Sequence, residues 1–481
     1  MAEVSPSRAV ALKVVSRARR RDAYARELLR AAPEMARLSL KSRGLASRLV
    51  LGSTACRGTL DAVLDSHLRR PHDLEPRVRD ALRIACFEVM YLETSPEVAV
   101  SQGVELVRTV TRRAAGLANA VLRKVVACDR PRARAARERL VDAAKGPSPV
   151  SVDDVALAAG MPRWLAERIC ASLPSSQAAA MALAQLEPAP AWVAANTGVC
   201  DASQAFTRLR QSGTAPVPVA LPGSFVLEKP NALARSGLVG SVDVVVSDLG
   251  SQMVSRIGAP APGTALLEVG QGRATKTILL ENAAASMGGP ANVVAVDLSE
   301  SKVELARERV SHGWEAQVTS LAWDARLLDG PNLPFELDRS FDTVFCDVPC
   351  SGSGTMRRHP EIPWTLQPAM LDADNPEGLP ALQGCILEAA SRRVAPGGTL
   401  VYATCSVLDE EDSAVVDRFL DSPAGRCFQR TDCGRAPGVA AAPVPFQGMV
   451  RQWVIPSGDF ASVPAMEGPD GHYAARLVRR G

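Results

Sequence analysis

Two cysteines stand out by their settings. In "DVPCSGSG", Asp347 to Gly354, Cys350 follows a proline where an apolar run gives way to a Gly/Ser turn. In "VYATCS", Val401 to Ser406, Cys405 again follows the end of an apolar run. Two thiols displayed at strand ends fit a covalent route to pyrimidine methylation. Carbon 5 of the ring is a poor nucleophile toward a methyl sulfonium. A thiolate added at carbon 6 turns the ring into an enamine whose carbon 5 can attack, so one hard step becomes two easier ones. A base then takes the carbon 5 proton and the thiolate leaves. Asp347 is placed to hydrogen-bond ring nitrogen 3 and favour the addition. The residue types alone do not say which thiol attacks and which assists release. Cys346, inside its apolar run, reads as a small buried hydrophobe.

A second group reads as a nucleoside site. "EVGQGRATKT", Glu268 to Thr277, is a Gly-x-Gly turn between a strand and a helix. Its candidate cofactor-binding residues are Glu268, Gly270, Gln271, Gly272, Arg273, Ala274, Thr275 and Lys276. Thr275 stands where a dinucleotide fingerprint would carry its third glycine. Asp297 ends the next strand, placed to accept hydrogen bonds from ribose hydroxyls, and Asp324 ends the third, within reach of an adenine. One nucleoside, no phosphate-binding signature and no Walker lysine point to S-adenosylmethionine rather than NAD or ATP. Either aspartate alone reads equally well as a helix cap; the pair, in register with the turn, favours a ligand. No cysteine grouping has zinc spacing, so no metal is expected.

These residues need a scaffold that presents strand ends side by side. From about residue 263 short apolar runs alternate with amphipathic ones, which predicts an α/β Rossmann-like domain over 251–481, with a parallel sheet and helices on both faces. Ligands in such sheets lie beyond the carboxyl ends of the strands, where Glu268, Asp297, Asp324, Asp347, Cys350 and Cys405 sit. Residues 5–130 carry helical spacing, as in Val78, Leu82, Ala85 and Val89, and predict an all-α bundle. A charged, then Pro/Gly/Ser-rich stretch over 131–150 reads as a linker, and 151–250 as a small α+β joining subdomain.

Net charge is +3 over 481 residues, unevenly spread. Residues 1–130 hold 24 Lys+Arg against 14 Asp+Glu, a balance of +10, while the remainder carries −7. A basic module joined to a mildly acidic one implies a polyanionic partner, RNA. Eleven cysteines without a framework fit a reducing cytoplasm. The charged N-terminus lacks a signal-peptide core, and no apolar run reaches a membrane span, so no membrane partner is expected.

"DVPCSGSGTMRRHPEIPW" and "GGTLVYATCSVLDEED" resemble the paired Pro-Cys and Thr-Cys motifs of RNA 5-methylcytosine methyltransferases. "LVLGSTACRGTLD" and "GLANAVLRK" resemble NusB, and the combination resembles the RsmB (Sun/Fmu) type, which methylates a cytidine of bacterial small-subunit ribosomal RNA. "SDLGSQ" and "DGHYAARLVR" extend the resemblance to nearly the whole chain. The resemblance implies Cys405 as the nucleophile, Cys350 as the residue that helps release the product, and Asp297, Asp324 and Asp347 as cofactor-contacting acids. It implies action on RNA; no DNA partner is expected, and the chain is expected to act as a monomer. The departure is the glycine turn: the family reads Asp-x-Cys-Ala-Ala-Pro-Gly-Gly-Lys-Thr, and Arg273, Ala274 and Thr275 replace Pro-Gly-Gly here. "WVAANT" also carries Ala194 where the family tends to place arginine. The rival readings are a catalytically weakened RNA-binding protein of this fold, a transfer RNA methyltransferase, and an exocyclic-amine methyltransferase. The last would carry Asn/Asp-Pro-Pro-aromatic in place of "DVPC".

Overall fold

A computed structural model describes residues 3–21 and 23–481, which fall into two compact units. The first runs to Ala189 and takes in Met356–Pro368; the second comprises Pro190–Thr355 and Ala369–Gly481. No helix among the described residues is long and apolar enough to cross a membrane.

The first unit is helical. Helix Pro76–Tyr91 buries Val78, Leu82, Ala85 and Val89 along one stripe, in a core shared with Leu12, Leu49, Leu60 and Leu106. Its polar residues inside that core are paired. Asp80, fully buried, accepts from Ser16 Oγ at 2.8 Å and Arg19 Nε at 3.0 Å, and Glu88 accepts from Arg8 Nε at 2.8 Å. The expected linker is largely a helix, Arg130–Lys145, which buries Ala133, Ala136, Leu140 and Ala143. Those four lie three or four residues apart, an apolar stripe that the surrounding charges mask. Helices Val152–Ala159, Arg163–Ser172 and Ser175–Ala184 also belong to this unit. Met356–Pro368 packs here too: Ala25 N donates to Glu361 Oε1 at 2.7 Å, Arg26 Nε to the Arg358 carbonyl at 2.7 Å, and Trp364 Nε1 to the Ala55 carbonyl.

The second unit begins with a four-stranded antiparallel sheet of β1 (Ala191–Ala195), β2 (Pro216–Pro218), β3 (Ser224–Leu227) and β4 (Val244–Val246), ordered β2-β3-β1-β4. The larger sheet holds β5 (Ala265–Val269), β6 (Asn292–Asp297), β7 (Val318–Ala322), β8 (Phe341–Asp347), β9 (Val394–Thr404), β10 (Phe428–Thr431), β11 (Phe460–Ser462) and β12 (His472–Arg479). Its order is β10-β12-β9-β8-β5-β6-β7, with β11 on β12. Strands β5 to β9 are mutually parallel, as expected. The last three are antiparallel, making a mixed sheet where a parallel one was expected. Strand β12 zips against β9 from Tyr473 opposite Thr404 to Val478 opposite Thr399. That pairing joins residues 69 to 79 positions apart in sequence, and local spacing carries no trace of it.

The chain leaves β5 toward β6 and β7, then returns to β8 on the other side of β5. That reversal is the topological switch point, where such sheets open a crevice.

Candidate active site

Five strand ends line up across the sheet in the order β9, β8, β5, β6, β7, and they deliver Cys405, Asp347 with Cys350, the glycine turn, Asp297 and Asp324 respectively. Residues up to 137 positions apart, Glu268 and Cys405 at the extremes of the two motifs, thus share one edge.

The glycine turn leaves β5 sharply. Gly270 has φ +83° and Gly272 φ +58°. A Cβ on Gly270 would lie 2.1 Å from the carbonyl oxygen of Asp347, so only glycine lets β5 and β8 end so close together. Gly272 N–H donates to Asp297 Oδ2 at 2.9 Å, and Ser299 N–H to Asp297 Oδ1 at 2.9 Å. Asp297 therefore ties the turn to the end of β6. Asp324 caps the short turn after it, accepting from Arg326 N–H at 3.0 Å and pairing with the Arg326 guanidinium at 2.6 Å, which holds its carboxyl below the usual range. Gln271 donates to Ser320 Oγ at 2.9 Å, and its buried Oε1 has no partner.

Glu268 lies beneath the turn rather than on it. It is fully buried, accepts from Thr277 Oγ1 at 2.6 Å, and leaves Oε1 without a partner. Burial pushes its carboxyl up to about 8. The substituted positions of the turn resolve in three ways. Arg273 is exposed, Ala274 is buried in a left-handed conformation at φ +57°, and Thr275 is half-buried. Of the two side chains that replace glycines, Ala274 enters the core and Thr275 is half-buried. Arg309 braces the stretch, donating to the Arg273 carbonyl at 2.5 Å and Thr275 Oγ1 at 3.1 Å.

Lys276 reaches from the first turn of its helix to Asp347, Nζ to Oδ2 at 2.7 Å. Burial opposes its charge, but Asp347 outweighs that and holds the ammonium above its ordinary value. Beyond this pair the two thiols meet, Cys350 Sγ and Cys405 Sγ 3.2 Å apart, too far for a disulfide bond and close enough for a hydrogen bond. The Cys350 thiol donating to Cys405 lowers the pKa of Cys405; burial and Asp347 oppose this, and Lys276 adds to it. The same hydrogen bond, with burial, pushes Cys350 well up. The Cys405 N–H also donates to Cys350 Sγ at 3.3 Å, but only Cys405 gains from the Lys276 cation, so Cys405 is the better thiolate.

Behind the sulfurs lies a buried polar cluster that no sequence pattern announced. Glu411 Oε1 accepts from Ser351 N–H at 2.7 Å and Gln383 Nε2 at 3.0 Å; its Oε2 accepts from Ser406 Oγ at 2.7 Å. Ser353 Oγ bonds Ser406 Oγ at 3.0 Å and accepts from Val407 N–H at 3.0 Å. Asp412 accepts from Thr404 Oγ1 at 2.6 Å, and burial pushes its carboxyl well up. The two outlying motifs also converge: Asp248 accepts from Asp470 N–H at 2.8 Å, and Gly471 N–H donates to the Gly354 carbonyl at 2.9 Å.

This arrangement has known counterparts. The family profile described as "16S rRNA methyltransferase RsmB/F" matches residues 257–478, that of the NusB family residues 5–127, and that of the RsmF/B-like ferredoxin-like domain residues 161–234. The chain is 30% identical to the ribosomal RNA small subunit methyltransferase B of Sodalis glossinidius, over 86% of this chain and 90% of that protein. The chain belongs to the RsmB/F methyltransferase family. It is 31% identical to a putative methyltransferase of Mycobacterium tuberculosis, over 87% of this chain and 88% of that one. The crystal structure of PH0851 shares its fold, with a TM-score of 0.71 and 19% identity over 99% of both chains. The chain is therefore an S-adenosylmethionine-dependent methyltransferase with an N-terminal NusB domain, and its substrate is RNA.

The residues of the edge fit that cofactor. Asp347 stands on one side of the glycine turn and Asp297 and Asp324 on the other, an orphaned amide oxygen lies under the turn, and a Cβ on Gly272 would meet no atom nearer than 4.0 Å.

Proposed function

We propose that the protein methylates carbon 5 of a cytidine in small-subunit ribosomal RNA, with Cys405 as the nucleophile and Cys350 as the group that lets the product go. The 3.2 Å separation of the two sulfurs carries this reading. Two thiols within one hydrogen bond, at the ends of β9 and β8, fit a reaction that adds sulfur to a ring and later removes it.

The Gly270–Gly272 turn, Asp297 and Asp324 would hold S-adenosylmethionine, the turn by close backbone approach and the acids by hydrogen bonds to the nucleoside. Leu298, 73% exposed directly after Asp297, offers an apolar lip for the adenine. The cofactor supplies the methyl group as an electrophilic sulfonium. Cys405, its thiolate favoured by Cys350 and Lys276, forms the bond to carbon 6. As the sulfur adds, ring nitrogen 3 takes a proton from solvent and its N–H donates to the Asp347 carboxylate, which Lys276 keeps oriented; the proton is returned when the sulfur leaves. After carbon 5 is methylated, Cys350, having released its thiol proton to solvent, takes the carbon 5 proton as a thiolate, the electron pair closes the 5,6 double bond, and the carbon–sulfur bond to Cys405 breaks to give back the Cys405 thiolate.

The test is denaturing electrophoresis with labelled ribosomal RNA fragments. Cys350→Ala methylates once and stays attached, giving a persistent shifted band; Cys405→Ala gives neither product nor band. A band from Cys405→Ala alone would exchange the two roles. Methylation by both variants without any band would refute covalent catalysis. Bisulfite sequencing of ribosomal RNA from cells lacking the gene identifies the cytidine.

A further inference from the structure

We propose that Glu411 is a positioning residue for the release step, holding the Cys350 turn in register with the Cys405 turn; this deepens the roles proposed above for the two thiols and rests on them. The carboxylate is fully buried, yet it touches the residue after each cysteine: Ser351 N–H at 2.7 Å follows Cys350, and Ser406 Oγ at 2.7 Å follows Cys405. Gln383, its third partner, also donates to the carbonyl of Pro349 at 2.9 Å, the residue before Cys350. One carboxylate and one amide thus grip Cys350 from both sides along the chain.

The protonation logic fits a fixed strut. The Ser351 N–H and the Gln383 NH2 can only donate and the Ser406 hydroxyl can donate as well, so the partners are matched to an acceptor. Burial pushes its pKa up, and the bonds from Ser351, Ser406 and Gln383 oppose that. An ion in a closed pocket is costly unless its partners are in place, which makes the geometry of those partners stiff. A carboxylate that served stability alone would have no need to choose the two residues beside the sulfurs.

The two turns depend on Glu411 unequally. The Cys405 side has other anchors: Gly354 N–H on the Cys405 carbonyl at 3.0 Å, Thr404 N-terminal to it on Asp412 at 2.6 Å, and Leu408 N–H on Ser406 Oγ at 3.0 Å. On the Cys350 side Gln383 still holds the Pro349 carbonyl and Ser353 N–H still donates to Ser351 Oγ at 3.1 Å, but loss of Glu411 strands the Ser351 N–H, the group directly after the sulfur-bearing residue. The Cys350 turn is the part that loosens, and misplacement by about 1 Å can cost on the order of 10²-fold in rate.

The measurement separates the first turnover from release. With Glu411→Ala, the first methyl transfer falls by less than about fivefold, steady-state turnover falls on the order of 10²-fold, KM for S-adenosylmethionine stays within about twofold, and the RNA adduct accumulates as in Cys350→Ala. Glu411→Gln recovers most of the turnover. Its amide oxygen still accepts from Ser351 and Gln383, and its NH2 can donate to the Ser406 oxygen. Gln383→Leu, which removes the second grip, gives the same stall in weaker form and decides the matter if Glu411→Ala does not fold. Release at the wild-type rate in Glu411→Ala or, should that not fold, in Gln383→Leu would overturn the proposal. So would equal losses in first turnover and release with no recovery by Glu411→Gln. If Cys350→Ala itself forms no adduct, the roles proposed for the two thiols have failed, and Glu411 as a release residue falls with them.

Discussion

Gly270 and Gly272 occupy the same turn and both take left-handed backbone, yet their substitution should have unequal consequences. Alanine at either position costs about 1–2 kcal/mol for that conformation. At Gly272 nothing more is added, because its Cβ would find no neighbour closer than 4.0 Å. At Gly270 the Cβ would sit 2.1 Å from the Asp347 carbonyl oxygen, about 1.3 Å short of ordinary contact, and that oxygen belongs to backbone that cannot swing away. Forcing β5 and β8 apart adds about 1–3 kcal/mol, typical of overpacking. Gly270→Ala should therefore be less stable than Gly272→Ala by about 2 kcal/mol, or about 4–8 °C in the melting of the second unit at roughly 2–4 °C per kcal/mol. The same shift displaces Asp347 by about 1 Å from Lys276 and the thiols, so methylation falls on the order of 10²-fold. Differential scanning calorimetry without cofactor, followed by single-turnover methylation, measures both. Equal melting temperatures for the two variants would show that the close approach of β5 to β8 does not govern the site.

Two further outcomes follow from charge. Lys276→Met removes the cation that favours the Cys405 thiolate, so the rise of single-turnover methylation with pH moves to higher pH; an unmoved profile would detach Lys276 from the nucleophile. Replacing the exposed Arg112, Arg113 and Arg123 by alanine should weaken RNA binding and reduce the slope of log affinity against log salt by about 2–3, at roughly 0.7–0.9 for each phosphate no longer neutralised. Filter binding at several salt concentrations reads that slope, and an unchanged slope would make these cations mere solvated surface.

The parts of this molecule legible in its sequence are those written in short spans. The alternation after residue 263 gave five parallel strands, because a buried strand and an amphipathic helix each carry their own period. The strand-end residues were legible for the same reason: Cys350, Cys405, Asp297 and Asp347 follow directly where apolar runs stop. Long-range pairing was not. Strand β12 reads locally as one more apolar stretch, and its place beside β9 is settled by a ladder to residues at least 69 positions away in sequence. Glu411 stands in "DEED" at the end of the Thr-Cys motif, a charge run that does not reveal that Glu411 is fully buried and Asp412 only 5% exposed. A buried carboxylate is betrayed only by its donors, and these come from Ser351, Gln383 and Ser406 on three separate segments. Glu268 shows the converse. It sits at the motif position expected to touch the cofactor, but Thr277 and the strand above enclose it, so its influence passes through the turn.

The hydrogen bond between the sulfurs also orders the reaction in time. While Cys405 is a thiolate it accepts the Cys350 proton, which holds Cys350 in its thiol form. Once Cys405 becomes a thioether on carbon 6, its charge is gone, and with it the main reason for the raised pKa of Cys350. Cys350 can then release its thiol proton to solvent and stand as a thiolate at the step that needs a base for the carbon 5 proton. The pair thus supplies a nucleophile first and a base second without moving. Cys350→Ser separates donor from base: the hydroxyl can still donate to Cys405, but it does not ionise near neutral pH. Cys350→Ser should therefore alkylate RNA through Cys405 at near the wild-type rate and then stall as Cys350→Ala does, with the adduct lifetime read on the same denaturing gels. Normal release by the serine variant would mean that Cys350 serves only as a donor, and that the carbon 5 proton leaves to another group.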